Sequence, residues 1–151
     1  MGIKGKVVRE VDIKCGGNFI HEFFTHKPHE MAVIAPDIIR SCNLVFGQWG
    51  ASGSVVSWQF IHDGKVASTK EMIEVGDNKI VFKVIEGDAL KAYNALSFSI
   101  HVKEIGGKQF GVWSVEFQKV NATIPDPTSY LDMLCGFTKD MNAYVLKQTT
   151  A

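Results

Sequence analysis

Three histidines and two glutamates fall within ten positions in HEFFTHKPHE, residues 21–30, a density that raises the question of a bound metal. Zinc proteases use HExxH, in which two imidazoles one helical turn apart share a face and the glutamate sits beside the metal-bound water. Here the spacing is HExxxH. Moving the second imidazole from i+4 to i+5 turns it by about 100° around the helix, so His21 and His26 cannot share a tetrahedral ion within an unbroken helix. His26 and His29 bracket Pro28 and could pair across a turn, but no third ligand lies within obvious reach. No metal is expected, and the string reads more plainly as solvated residues at helix ends.

Two other positions carry proton chemistry. His62 ends SVVSWQFIH on the apolar phase of a strand. At a rim it could exchange a proton near neutral pH; the plainer reading is a half-exposed histidine beside a turn. In TKEMIEV, the phase Thr69, Glu71, Ile73, Val75 has two aliphatics against the single methionine of the opposite phase, so Glu71 is expected to point inward. A carboxylate in a dry core costs several kcal/mol unless paired, so an inward Glu71 needs a partner, a proton or water, and a wet cavity supplies water. The competing reading is a bulge that slips the register and turns Glu71 outward.

FGQWGASGS, residues 46–54, places Gly47, Gly50 and Gly53 at intervals of three. It lacks the Lys-Ser or Lys-Thr ending of a phosphate loop and opens a strand instead of a helix, so a flexible lip is expected. Neither a Ser-His-Asp or Cys-His arrangement nor the paired carboxylates of a glycosidase can be read from the spacings.

These residues need elements to position them. From Gly53 onward the chain alternates with period two between turn signals, as an antiparallel meander does. Trp58 and Phe60 share one phase of the first strand, and Asp63-Gly64 supplies the positive φ angles of a tight hairpin. In KIVFKVIEG the inward phase is taken as Ile80, Phe82 and Val84; in LSFSIHVKE it is Leu96, Phe98, Ile100 and Val102; in GVWSVEFQKV it is Trp113, Val115 and Phe117. IKGKVVREVDIK and RSCNLVF bring the expected strands to about seven.

Residues 16–37 read as two short helices broken near Pro28 and ended by Pro36, with Phe19, Ile20, Phe23 and Phe24 as the apolar stripe of the first. Near the end of the chain, Asp126 is the expected N-cap and Pro127 the first helical residue of a long helix. Tyr130, Leu131, Leu134, Phe137, Met141, Tyr144 and Val145 form its stripe, and Gly136 sits inside it at a cost of about 1 kcal/mol relative to Ala.

At 151 residues the chain fits one domain spanning 1–151. Sixteen basic residues balance sixteen acidic ones, which argues against nucleic acid and against stable attachment to anionic membranes. Cys15, Cys42 and Cys135 are scattered and odd in number, which argues against a disulfide framework or a zinc site and for a reducing compartment. The N-terminus lacks the apolar core of a secretory signal, and no apolar run approaches the ~18 residues of a membrane span. A cytoplasmic location is expected, which leaves the Asn121-Ala122-Thr123 glycosylation triplet without a role.

The ordered set GKVVREVDIK, SWQFIHDGK, KVIEGD and DPTSYLDML resembles the plant major latex protein-like family, within the birch pollen allergen (pathogenesis-related class 10) superfamily. The likeness covers nearly the whole chain. It implies an α+β helix-grip fold: a curved seven-stranded antiparallel sheet around a long C-terminal helix, with two short helices after the first strand and a hollow between sheet and helix. On this chain the hollow would be lined by Trp58, Phe60, Glu71, Phe82, Val84 and Phe98, together with Ile100, Phe117, Leu134, Phe137 and Met141. The phases above place these inward; the hollowness is what the resemblance adds.

The implied function is carriage or sensing of small hydrophobic molecules such as plant metabolites, hormones or xenobiotics, with no cofactor and no particular protein partner indicated. The alternative is a small cofactor-independent cyclase or isomerase of specialised metabolism, acting on a terpenoid, iridoid or alkaloid intermediate. A reactive substrate would then need a shaped cage and one proton-transfer group, for which Glu71 and His62, then Tyr130, are the candidates. A hormone receptor that recruits a phosphatase fits less well, because GASGSV and EGDALKAYN do not match that family's gate and latch loops.

Overall fold

The computed structural model describes residues 3–150, with side chains described as far as Lys147. Seven antiparallel strands form one sheet in the order β1-β7-β6-β5-β4-β3-β2. They are β1 (Ile3–Ile13), β2 (Ile39–Phe46), β3 (Val55–His62), β4 (Lys65–Val75), β5 (Lys79–Gly87), β6 (Tyr93–Ile105) and β7 (Lys108–Lys119). After β1 come α1 (Gly17–His26), a single 3-10 turn (Pro28–Glu30) and α2 (Met31–Ile34); α3 (Thr128–Thr150) closes the described chain. This is the curved sheet and long helix of a helix-grip fold.

The expected alternation is what buries one face. On β3, Val56, Trp58 and Phe60 are buried; on β7, Trp113 and Val115 are fully so. The β3–β4 hairpin turns at Asp63 (φ 53°) and Gly64 (φ 76°), both left-handed as a two-residue hairpin of this kind requires. Irregular pairing at Ile39/Ser41 and Leu44/Phe46 on β2, and at Tyr93/Ala95 on β6, bends the sheet, as bulges do. A further short 3-10 helix, Asp88–Lys91, interrupts the stretch between β5 and β6 that sequence periodicity leaves unassigned.

The start of α3 differs from expectation. The helix begins at Thr128, so Pro127 precedes it, and Asp126 gives its carboxylate to Lys119 at 2.6 Å instead of capping. An ammonium within reach competes successfully for a carboxylate that could otherwise accept from the first-turn amides.

Polar ties fix α3 across the sheet at both ends. Near its start, Ser129 hydrogen-bonds His62 at 2.7 Å and Tyr130 stacks on the same imidazole with centroids 4.0 Å apart. Towards its end, the Asn142 carbonyl accepts from the backbone amides of Lys14 (2.8 Å) and Cys15 (3.1 Å), while its amide donates to the Asp12 carbonyl at 2.8 Å. Arg9 of β1 pairs with Asp132 between these ties. Gly136 lies opposite Ile38: a Cβ there would stand 3.3 Å from the Ile38 Cδ1, so the glycine buys close approach of helix and α2–β2 connection.

Candidate functional site

Between the sheet and the middle of α3 lies a cavity walled by Ile39, Trp58, Phe60, Glu71, Phe82, Phe98 and Trp113 from the strands. Met133, Leu134 and Phe137 close it from α3, and Phe24 enters from α1. Its volume, counted as the space open to the centres of water molecules, is about 40 Å³, enough for roughly three waters. A guest-sized hollow, as the resemblance implies, is therefore not what this conformation holds. Phe24 is one of the rings that narrow it. Its ring, 1% exposed, meets Phe82, Trp113 and Phe137 at centroid distances of 5.6, 5.7 and 5.6 Å. These are edge-to-face and tilted contacts of the kind aromatic cores favour.

Glu71 is the one ionisable group in that lining. It is 5% exposed, on the same phase of β4 as buried Thr69 and Ile73. A register shift does occur here, but it falls on the partner: Lys70 pairs with Glu86 and Glu71 with Val84, so Ile85 of β5 is the extra residue and Glu71 keeps its inward direction. The Thr69 hydroxyl donates to Glu71 Oε2 at 2.7 Å. Burial raises the carboxyl from 4.5 to about 7, with the Thr69 hydrogen bond pulling weakly the other way. Across the β3–β4 ladder from Thr69 stands Trp58, whose buried Nε1 has no hydrogen-bond partner in the protein. Trp113, by contrast, donates from Nε1 to Thr138 Oγ1 at 2.9 Å.

The other candidates are distributed as follows. His62 and Tyr130 stack on each other at the N-terminal end of α3, outside the lining; Tyr130 touches it through Phe98, with centroids 5.3 Å apart. Desolvation lowers the His62 pKa, opposed by nearby Asp63, and burial pushes Tyr130 up to about 12. Of the residues expected around the hollow, Trp58, Phe60, Glu71, Phe82, Phe98, Leu134 and Phe137 line it. Val84, Ile100, Phe117 and Met141 are buried but border the cavity nowhere. Phe24, Ile39, Trp113 and Met133 join it unforeseen, although Phe24 and Trp113 were legible as inward-facing.

The histidine-rich string separates in space. His21 Nε2 contacts the Gly76 carbonyl at 2.9 Å, His26 Nδ1 the Thr25 hydroxyl at 2.8 Å, and the His29 ring lies tilted against Trp49 with centroids 4.8 Å apart. Among the described residues no three His, Cys, Asp or Glu converge as metal ligands. The glycine loop is a lip with its amides engaged at home: Gln48 N–H to Ser54 Oγ, Ala51 N–H to the Gln48 carbonyl and Gly53 N–H to the Ile73 carbonyl.

Residues 2–148 match the family model for the pathogenesis-related protein Bet v 1 family. The chain belongs to the Bet v 1 family. Within that family it falls in the major latex protein-like branch: MLP-like protein 43 of Arabidopsis thaliana is 34% identical, with 95% of this chain and 94% of that protein covered. The crystal structure of ginseng major latex-like protein 151 from Panax ginseng superposes with a TM-score of 0.92 at 37% identity, covering 96% of this chain and 99% of that one. Norcoclaurine synthase from Thalictrum flavum shares the Bet v 1 fold at a TM-score of 0.73 and 18% identity, covering 96% of this chain and 88% of the other. Ligand binding is what the Bet v 1 family is known for. Among the described residues no helix is long and apolar enough to cross a membrane.

Proposed function

We propose that residues 1–151 act as one ligand-binding domain that takes a small hydrophobic molecule beneath α3, as a carrier or sensor of plant metabolites, hormones or xenobiotics. The observation that carries this reading is an almost wholly apolar cavity containing one protonatable carboxyl, Glu71, and one unpartnered indole N–H, that of Trp58. Apolar walls give affinity at about 25 cal/mol per Å² buried, and a few polar groups fix orientation. Admission of a guest requires Phe24 to leave the centre, and Met133, with its flexible thioether, is the wall most able to re-pack. The closed form then lowers apparent affinity by the fraction of molecules that are open. Three free thiols suit a reducing, cytoplasmic setting.

Fluorescence titration with 1-anilinonaphthalene-8-sulfonate tests this: saturable micromolar binding, displaced by an apolar competitor, is expected. Absence of displaceable binding refutes the reading.

A second reading is favoured by one specific feature. Glu71, with its proton held to about pH 7, is placed to give or take a proton inside an apolar cage, as a cofactor-independent cyclase or isomerase of a terpenoid, iridoid or alkaloid intermediate needs. Norcoclaurine synthase, with the same fold, has been crystallised with dopamine and hydroxybenzaldehyde. Under this reading Glu71→Gln slows turnover and leaves binding intact; an unchanged rate and product stereochemistry removes Glu71 from the role. His62 and Tyr130 are stacked outside the lining, so under this reading they stand behind Glu71 as candidates.

A further inference from the structure

A buried indole N–H with no partner is uncommon, because leaving a donor unsatisfied costs the full desolvation of the group. Trp58 is 6% exposed and lines the central cavity. Its direct cross-strand neighbour is Thr69, whose hydroxyl is committed to Glu71 Oε2. With Oε2 accepting that bond, the proton of the neutral carboxyl resides on Oε1, which makes no hydrogen bond to the protein. The two uncommitted polar groups of the cavity are thus both donors, set on adjacent strands in an otherwise apolar wall.

We propose, building on the ligand-binding reading, that Trp58 Nε1 and Glu71 form a two-donor subsite that selects apolar molecules bearing a carbonyl oxygen. A carbonyl offers two lone pairs and brings no hydrogen needing an acceptor of its own. An ammonium group would meet the Trp58 N–H with like polarity, and a hydrocarbon would leave both donors unpaired.

Burial supports the donor state of Glu71 by holding its proton to about pH 7. The ionisable groups facing it do not titrate nearby: the Cys42 thiol on β2 and the Tyr130 phenol on α3 are both raised by burial, Tyr130 to about 12. No cation contributes to the carboxyl's shift. As Glu71 ionises, its oxygen repels the carbonyl, so carbonyl affinity falls with rising pH while hydrocarbon affinity does not. A hydroxyl compound, able to donate to the carboxylate, would escape that fall.

The test uses three bicyclic probes of one shape: 1-tetralone, tetralin and 1-aminotetralin, titrated into 15N-labelled protein at pH 6 and pH 8.5. At pH 6 tetralone should bind about tenfold more tightly than tetralin, the worth of one to two neutral hydrogen bonds. Both guests should shift the Trp58 indole signal, but only tetralone, by accepting a hydrogen bond, should carry the indole proton clearly downfield. Trp58→Phe removes the N–H, and whatever it does to binding of tetralin itself, the ratio of tetralone to tetralin affinity should fall several-fold at pH 6. Glu71→Gln keeps a donor and should retain the preference but lose its pH dependence. At pH 6, equal affinities for tetralone and tetralin, a preference for 1-aminotetralin over tetralone, or a tetralone preference undiminished by Trp58→Phe overturns the subsite and leaves the binding function standing. Failure of all three probes to bind refutes the binding function, and the subsite with it.

Discussion

Replacing Glu71 by Gln should stabilise the protein, and by an amount that grows with pH. The folded state holds the carboxyl at about 7 against 4.5 for an ordinary glutamate. A raised carboxyl pKa means the native state prefers the protonated form, so the penalty is absent below the unfolded value, grows between the two and is complete above the folded one. With about 1.4 kcal/mol per pH unit, the charge costs about 1 kcal/mol at pH 5 and about 3 kcal/mol at pH 8. The group is fully desolvated and faces no cation, so solvent screening takes little from this figure. Gln remains neutral and can still accept from the Thr69 hydroxyl. The stability difference between variant and parent should therefore widen by about 2 kcal/mol from pH 5 to pH 8, or roughly 4–8 °C in Tm. Urea unfolding at pH 5, 6, 7 and 8 measures it. Other titrating groups, His62 among them, cancel in the difference. Parallel stability profiles for the two proteins would refute a buried, cation-free Glu71.

Three further outcomes follow from individual contacts. Phe24→Ala removes the ring at the centre of the Phe82, Trp113 and Phe137 cluster; it should cost about 3–5 kcal/mol in urea unfolding, yet tighten binding of bulky apolar guests in a dye-displacement titration. Asn142→Ala leaves the Lys14 and Cys15 amides without their acceptor and should cost about 2–4 kcal/mol, with hydrogen exchange rising first at the β1–α1 junction. Gly50→Ala forces a left-handed residue (φ 83°) and sets a Cβ 2.7 Å from His26 Nε2, so a loss of about 1–2 kcal/mol is expected, read as a lower thermal midpoint.

Much of this architecture was readable because strand alternation reports burial directly. Asp63-Gly64 announced a hairpin, and the two aliphatics beside Glu71 outweighed Met72 in fixing its direction even though a bulge does lie across the ladder. The cap at Asp126 was misread because a cap signature is local, whereas Lys119 arrives from the end of β7. The cavity wall was only half legible. Inward phase separates core from solvent, but whether an inward residue borders a cavity or packs in solid core depends on where helices cross a curved sheet. So Phe98 lines the space while Ile100, two residues along the same face, does not. The filling of the cavity was hidden for the same reason: Phe24 belongs to the apolar stripe of α1, and nothing in its spacing says that the ring reaches the middle. Asn142, one of many polar residues on α3, gave no sign that it would tie three backbone groups of another segment.

The most direct trial of the account is a 15N-indole NMR titration with tetralin, since the three tryptophans sit in three different surroundings. Trp58 and Trp113 border the cavity, whereas Trp49 lies in the glycine lip against His29. A guest beneath α3 should shift the Trp58 and Trp113 signals together, saturably and with one apparent Kd, and leave Trp49 where it is. Saturation with only Trp49 responding, or no saturable response at any indole, would contradict it.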